Sequence, residues 1–141
     1  MNIAIVVSEF NDKVTSRMHK VALEKAKELK LNVKYECKVP GVFDMPLVID
    51  TLLQKKDIDA VVTLGAIIKG QTKHDEVIAD VVATRISKLS IKYQKPVSAI
   101  CEMMDAETYA ALSVEKAKKY AKENAIPFID GKELYEFSKV R

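Results

Sequence analysis

Apolar and polar positions along the chain form alternating blocks that predict strands and helices in turn. Short apolar runs rich in β-branched residues predict strands over residues 2–7, 33–39, 58–64 and 97–101. Apolar residues at helical spacing predict helices over 14–29, 46–53, 74–94 and 106–124, with a last helix near the carboxyl terminus. Strands that alternate with helices of this length are typical of βαβ units. The expected fold is therefore α/β, with a mainly parallel four-stranded sheet and helices on both faces.

Three connections leave the carboxyl ends of predicted strands, namely residues 8–12, 40–46 and 65–74. In open parallel sheets, ligands bind beyond the carboxyl ends of the strands, where such connections gather. These three connections are therefore the candidate functional site.

The third connection, GAIIKGQTKH, passes from a strand end into a helix start. Backbone N–H groups around Gln71 and Thr72 would be unpaired there and could bind an anion, with positive charge from the flanking Lys69 and Lys73. The alternative is that Thr72 only caps the helix, with Asp75 three residues on as the partner in a capping box.

His74 is one of two histidines in the chain and falls in the first turn of the third predicted helix. The positive end of the helix dipole disfavours a charged imidazolium, so a neutral ring would be available there as a proton acceptor. A structural or merely solvated histidine is the alternative reading.

Two aromatic residues in the other connections could contact a planar or hydroxylated ligand. Phe10 follows a polar Ser-Glu pair directly after the first strand, which suits either a stacking platform or a ring packed over the helix start. Val42, Phe43 and Asp44 could bind the hydroxyls of a polyol, or Asp44 could cap the helix that starts at Pro46.

Length and composition restrict the class of protein. The 141 residues suit one domain over residues 1–141, and 48% hydrophobic with 30% charged residues is ordinary for a globular protein. The 23 basic and 20 acidic residues are scattered rather than clustered, which argues against nucleic acid as a partner. The sequence contains no run of eighteen apolar residues, so no membrane span is predicted. No signal peptide is apparent either, so a cytoplasmic location is expected.

Cys37 and Cys101 lie inside apolar runs, without C-x-x-C spacing and without histidines nearby. Such cysteines are more typical of buried thiols in a reducing compartment than of ligands, so no metal site is expected.

The three connections together resemble the signature loops of the lumazine synthase family, particularly its archaeal branch. The resemblance rests on SEFN at residues 8–11, VPGVFDMP at 39–46 and GAIIKGQTKHDE at 65–76, and it covers residues 1 to about 97. It implies a three-layer αβα sandwich of the flavodoxin-like kind. The implied reaction is the cofactor-free condensation of 5-amino-6-ribitylaminouracil with 3,4-dihydroxy-2-butanone 4-phosphate to 6,7-dimethyl-8-ribityllumazine in riboflavin biosynthesis.

The resemblance also implies roles for individual residues and an assembly. Phe10 would stack on the pyrimidine, Phe43 and Asp44 would hold the ribityl chain with Val42 as a further substrate contact, and His74 would shuttle protons. The backbones of Ala66, Ile67 and Ile68 would read the pyrimidine edge, while Gln71 and Thr72 would bind the phosphate. The family forms homopentamers with active sites between adjacent subunits, and some of these pentamers assemble into icosahedral shells. Because the chain starts almost at its first strand, a shell is not expected here.

The last third departs from the family pattern. Ala99 stands near the position from which a bulky residue of the family reaches into the neighbouring subunit's site, and we include it among the substrate contacts. The family's phosphate-binding arginine is absent, because alternative alignments place Ser113, Val114 or Tyr120 there. Two further readings follow: a relative of the archaeal riboflavin synthase, and a non-catalytic homologue that binds lumazine or flavin.

Overall fold

A computed structural model of the chain describes residues 1–69 and 73–98 in full and residues 99–104 as backbone. Its elements, in chain order, are β1 (Asn2–Ser8), α1 (Asp12–Glu28), β2 (Asn32–Val39), a 3-10 turn (Val42–Asp44), α2 (Met45–Leu53), β3 (Ala60–Ile68), α3 (His74–Tyr93) and β4 (Val97–Met104). None of the helices in these ranges has the length and apolarity needed to span a bilayer. The helices predicted beyond residue 105 lie outside the described residues.

The four described strands form one parallel sheet in the order β2-β1-β3-β4. This confirms the prediction of an α/β fold with a parallel sheet. Because the chain moves outward from β1 to β2 and then returns to the other side of β1 for β3, the strand order reverses between β1 and β3. In doubly wound sheets the crevice for ligands lies at this reversal, beyond the carboxyl ends of the two strands.

Helices cover both faces of the sheet, so the described chain has three layers. On one face, α2 and α3 bury Met45, Ile49 and Ile86 against β1 and β3. On the other face, Ala26 of α1 packs against Ile5 of β1 and neighbouring strand residues. Successive side chains of a strand point to opposite faces, so the continuous apolar run of β1 supplies both layers of the core.

β3 is longer than predicted. The expectation that this strand ends at residue 64, before Gly65, is wrong, because residues 61–68 pair in register with residues 97–104 of β4 and carry the strand on to Ile68. Pairing of β3 with β1, in contrast, stops at Val7 and Leu64. Residues 65–68 of β3 therefore project past β1, and one edge of this projection has no β1 partner. The third connection narrows to residues 69–73.

Asp50 links α2 to the end of α3 away from the candidate site. Its carboxylate accepts hydrogen bonds from Tyr93 Oη at 2.9 Å, Lys92 Nζ at 3.2 Å and Gln54 Nε2 at 2.7 Å. The Tyr93 hydroxyl, and then the Lys92 ammonium and the Gln54 amide, hold the pKa of this carboxyl below its ordinary value. A lowered pKa in the folded state means that the ionised form stabilises the fold.

We therefore expect the free energy of unfolding to depend on pH through Asp50. The stabilisation is fully present above the pKa of the unfolded carboxyl, about 4, and is lost as pH falls through the lower pKa of the folded state. In Asp50→Asn this part of the pH dependence should disappear, as measured by denaturant unfolding at neutral pH and near pH 3. Asp80→Asn, an exposed charge removal on α3, is the control. An unchanged pH dependence in Asp50→Asn would contradict the assignment.

Candidate functional site

Hydrogen bonds join the ends of β1, β2 and β3 into one cluster. The N–H groups of Glu9 and Phe10 donate to the carbonyls of Val39 and Pro40 at 2.8 and 3.0 Å, which ties the first connection to the second. Asn11 Nδ2 donates to the carbonyl of Ala66 at 2.8 Å, which ties the first connection to the projecting part of β3. The structure thus brings the first two connections and the end of β3, from which the third connection leaves, to the same edge of the sheet.

Phe10 presents its ring to solvent on a fixed backbone. The side chain is 69% exposed, so the alternative of a ring packed over the helix start is wrong. Its N–H donates to Pro40, and its carbonyl accepts from Ser8 Oγ at 3.3 Å, while Ser8 itself is fully buried. An exposed aromatic ring held in this way is suited to stacking on a planar ligand.

In the second connection, the exposed Phe43 follows directly after the buried Val42. Phe43 is 63% exposed, whereas Val42 is buried in the core that includes Ile67. Asp44 Oδ2 accepts from the N–H of Gly41 at 2.9 Å and makes no capping bond to α2. The alternative in which Asp44 caps the helix at Pro46 is therefore wrong, because this carboxylate closes the 3-10 turn instead. The burial of Val42 leaves little of this residue available to a ligand.

The projecting edge of β3 exposes only alternate backbone groups. In a strand, the N–H and C=O of one residue point to one neighbouring strand, and those of the next residue point to the other. The N–H of Val61 donates to Pro96 beside β4 at 3.1 Å, and the carbonyl of Ala66 accepts from Asn11 on the β1 side. Odd-numbered residues therefore face β4, and even-numbered residues face the open side.

This alternation narrows the predicted set of backbone contacts. Ile67 faces β4, so its N–H and C=O are not directed to the crevice. Ala66 is only 2% exposed and its carbonyl already accepts from Asn11. Ile68 is half-buried and faces the open side, so it is the residue of the three whose N–H and C=O remain directed to the crevice.

The start of α3 places His74 at the surface next to a buried carboxylate. His74 is the first residue of α3 and is exposed, and the carbonyl of Lys73 accepts the first helical hydrogen bond from Val77 at 3.1 Å. Asp75 is only 8% exposed, and its Oδ2 has no hydrogen-bond partner within residues 1–69 and 73–98. The predicted phosphate-binding residues, Gln71 and Thr72, lie outside the described residues.

Ala99 is not brought to this cluster within one chain. It pairs with Thr63 in the middle of β3, at about 16 Å from Ile68 for the usual rise of about 3.3 Å per residue. The positions expected for the missing arginine lie beyond the described residues.

Asn11 and Asp75 are the features of this cluster that sequence reasoning passed over as functional candidates. The bond from Asn11 to Ala66 joins residues 55 positions apart, and no local pattern predicts such a pairing. For Asn11, the available signal was an asparagine directly before a predicted helix. Asparagine is one of the residues that adopt a left-handed backbone, and Asn11 has this conformation, with φ of 63° and ψ of 46°.

Comparison with known proteins identifies close relatives. The family model described as 6,7-dimethyl-8-ribityllumazine synthase matches residues 1–134. The protein of that name from Methanocaldococcus jannaschii is 49% identical over 98 residues, which are 70% of this chain and 70% of that protein. The Saccharolobus islandicus protein of the same name is 54% identical over 98 residues, 70% of this chain but 64% of that protein. The one from Pyrobaculum calidifontis is 44% identical over 131 residues, 86% of this chain and 87% of that protein.

Proposed function

The chain belongs to the 6,7-dimethyl-8-ribityllumazine synthase family of riboflavin biosynthesis, and from this premise we propose how its strand ends catalyse the condensation. The two substrates are 5-amino-6-ribitylaminouracil and 3,4-dihydroxy-2-butanone 4-phosphate. The pyrimidine amine attacks the ketone to give an imine with loss of water. Phosphate is then eliminated, and ring closure by the ribitylamino nitrogen loses a second water.

The pyrimidine would lie in the crevice at the reversal of strand order. The observation that carries this proposal is the hydrogen bond from Asn11 to Ala66, because it ties the residue that follows the exposed Phe10 to the projecting edge of β3. Phe10 supplies stacking on one ring face, while the N–H and C=O of Ile68 supply a donor and an acceptor for the ring edge. Such an arrangement recognises a flat heterocycle with both kinds of polar group.

The ribityl chain would extend toward the second connection. Exposed Asp44 and Phe43 lie there next to the β2 end, which the N–H of Phe10 ties to the stacking platform. A carboxylate accepts hydrogen bonds from hydroxyl groups, and Asp44 is held in place by Gly41 through one of its oxygens. This would fix the polyol relative to the ring.

His74 would transfer protons at the reacting carbons. Imine formation, phosphate elimination and ring closure each require a proton to be removed or delivered, and a positioned imidazole is the usual group for such transfers. His74 begins the helix that follows the proposed phosphate-binding residues Gln71 and Thr72, so it would act where phosphate leaves. The exposed Lys69 and Lys73 flank that segment and would supply positive charge to the departing anion.

We further propose that the chain assembles into a homopentamer, and exposed apolar residues support contact with another subunit, though not a particular number of subunits. Val77 and Val81 lie one turn apart on α3 and are 57% and 41% exposed, and Leu47 of α2 is 76% exposed. Surfaces of this kind are commonly covered by another protein chain.

Cys37 carries a free thiol, which suits the reducing cytoplasm that we propose as the location of this protein.

A direct assay tests the proposed reaction. The purified protein is incubated with both substrates while phosphate release and lumazine absorbance are followed together. We expect one phosphate for each lumazine formed. Binding of the ribityl compounds without phosphate release would contradict the proposal and would instead indicate a non-catalytic homologue.

Thr72→Ala is expected to raise KM for the butanone phosphate about tenfold and to leave KM for the pyrimidine unchanged. The reason is that a hydrogen bond to a charged group contributes roughly 1.5–3 kcal/mol, at least a tenfold change in affinity. Thr51→Ala is a matched control, because Thr51 Oγ1 donates to Leu47 within α2 at 3.0 Å. Unchanged kinetics in Thr72→Ala would rule out this threonine as a phosphate ligand.

A further inference from the structure

Asn11 occupies a backbone conformation that few residues adopt readily. Its φ of 63° and ψ of 46° are left-handed, a region that asparagine and glycine enter at low cost. Its carbonyl accepts the first bonds of α1, from the N–H groups of Val14 and Thr15 at 3.0 and 3.2 Å. The direction in which α1 leaves β1 is therefore fixed at this one residue.

The side chain of Asn11 performs a second task that its backbone does not require. Its amide reaches across to the carbonyl of Ala66 at 2.8 Å, on the part of β3 that has lost its pairing with β1. Val14 of α1 packs against the same Ala66, and both side chains are buried. The first connection and the projecting strand are thus joined by one polar and one apolar contact.

The position of this bond matters because of what lies on either side of it. Phe10 precedes Asn11 directly, so a shift of Asn11 moves the stacking ring. Ile68 is the next residue of β3 whose backbone faces the same side as that of Ala66. The bond therefore spans the gap between the ring platform and the polar edge.

We propose that Asn11 is a positioning residue for the pyrimidine, a role that rests on the proposed function. Its side-chain amide occupies the carbonyl of Ala66 and sets the spacing between the Phe10 ring and the open edge at Ile68. Asn11 itself need not touch the substrate. Loss of the amide leaves both recognition elements present but free to drift apart, which weakens binding of the ring and spares the phosphate end of the site.

Two substitutions separate the side-chain role from the backbone role. Asn11→Gly keeps the left-handed conformation accessible and removes the amide. Asn11→Asp has nearly the same shape and also tolerates this conformation, but it turns an acceptor toward the carbonyl of Ala66 in place of a donor. Asn32→Asp is the control, because the Asn32 amide donates to Asn2 Oδ1 at 2.9 Å at the opposite end of the sheet.

The readouts are KM for each substrate, kcat, the thermal midpoint and equilibrium binding of the lumazine product. In Asn11→Gly we expect KM for the pyrimidine and Kd for lumazine to rise about tenfold, the size of one hydrogen bond's contribution. The rise should be larger in Asn11→Asp, while KM for the butanone phosphate and the behaviour of Asn32→Asp stay as in the wild type. A purely structural role would lower the thermal midpoint without changing either KM.

Unchanged KM for the pyrimidine and unchanged Kd for lumazine in Asn11→Gly would overturn the proposal, even if Asn11→Asp failed to fold. If the wild type bound lumazine but formed none, the proposed function would fail, and the Kd values of the variants would still decide the role of Asn11. A wild type that bound no lumazine would overturn both.

Discussion

His74→Ala is expected to lower kcat on the order of a hundredfold, because positioned proton transfer contributes about 10²–10⁴-fold to reactions of this type. Both KM values should change little, since the substrates would be held by Phe10, by the β3 edge and by the segment before α3. Single-turnover formation of lumazine, together with steady-state kinetics, would assign the loss to chemistry rather than to product release.

The other histidine is the matched control. His19 lies on α1, where its Nε2 is 2.9 Å from Glu36 Oε2 of β2, and Glu36 pairs with Ile5 inside β1 rather than at its carboxyl end. His19→Ala should therefore retain the wild-type kcat. Equal kcat values for the wild type and His74→Ala would show that His74 does not transfer protons in the reaction. The site would then act only by positioning the two substrates.

Phe10→Ala is expected to raise KM for the pyrimidine on the order of tenfold to a hundredfold, with kcat at saturation largely retained. Stacking of a heterocyclic base on an aromatic side chain contributes about 1–3 kcal/mol, which converts to this range of affinity. Because the ring is 69% exposed, its removal should leave the thermal midpoint near that of the wild type.

Two comparisons isolate stacking from other effects of this substitution. Phe10→Leu keeps an apolar side chain but removes the π system, so it should resemble Phe10→Ala more than the wild type. Ile91→Ala removes a side chain of similar exposure, 67%, at the far end of α3 and should bind the pyrimidine normally. A normal KM in Phe10→Ala would show that the ring is not a platform for the substrate.

The sequence predicted the number of strands and their parallel direction because these signals were local. The β-branched runs and helical spacings named the strands, and the repeated alternation of strand and helix required parallel pairing. The predicted end of β3, directly before Gly65, was wrong. A glycine weakens a strand through its backbone entropy and its lack of a side chain to pack, but pairing with β4 carries β3 on to Ile68. The partner residues on β4 are distant in sequence, so no local pattern shows this pairing.

The sequence predicted which loops form the site, but not how the residues of those loops are oriented. Phe10 and Phe43 stood out because aromatic residues after strand ends need a reason, and the structure exposes both. Which of Ala66, Ile67 and Ile68 faces the crevice depends on a long-range hydrogen bond, and the spacing of residues alone does not give that direction. The role of Asp44 was open in the sequence between a ribityl contact and a helix cap, and its bond to Gly41 excludes the second.

The third helix shows a different limit of sequence reasoning. Apolar residues at helical spacing predicted this helix, and Val82 and Ile86 are buried in the structure, but Val77 and Val81 are exposed. The apolar stripe of α3 is wider than the surface that the described chain covers. The spacing of apolar residues in the sequence does not show which of them the fold buries.

Amide hydrogen exchange at residues 66–68, measured by NMR with and without bound lumazine, tests most directly whether the projecting edge of β3 forms hydrogen bonds with the ring. The N–H of Ile67, which faces β4, should exchange slowly in both states. The N–H of Ile68 should exchange rapidly in the free protein and become protected when lumazine binds. Rapid exchange of the Ile68 amide at saturating lumazine would contradict the account.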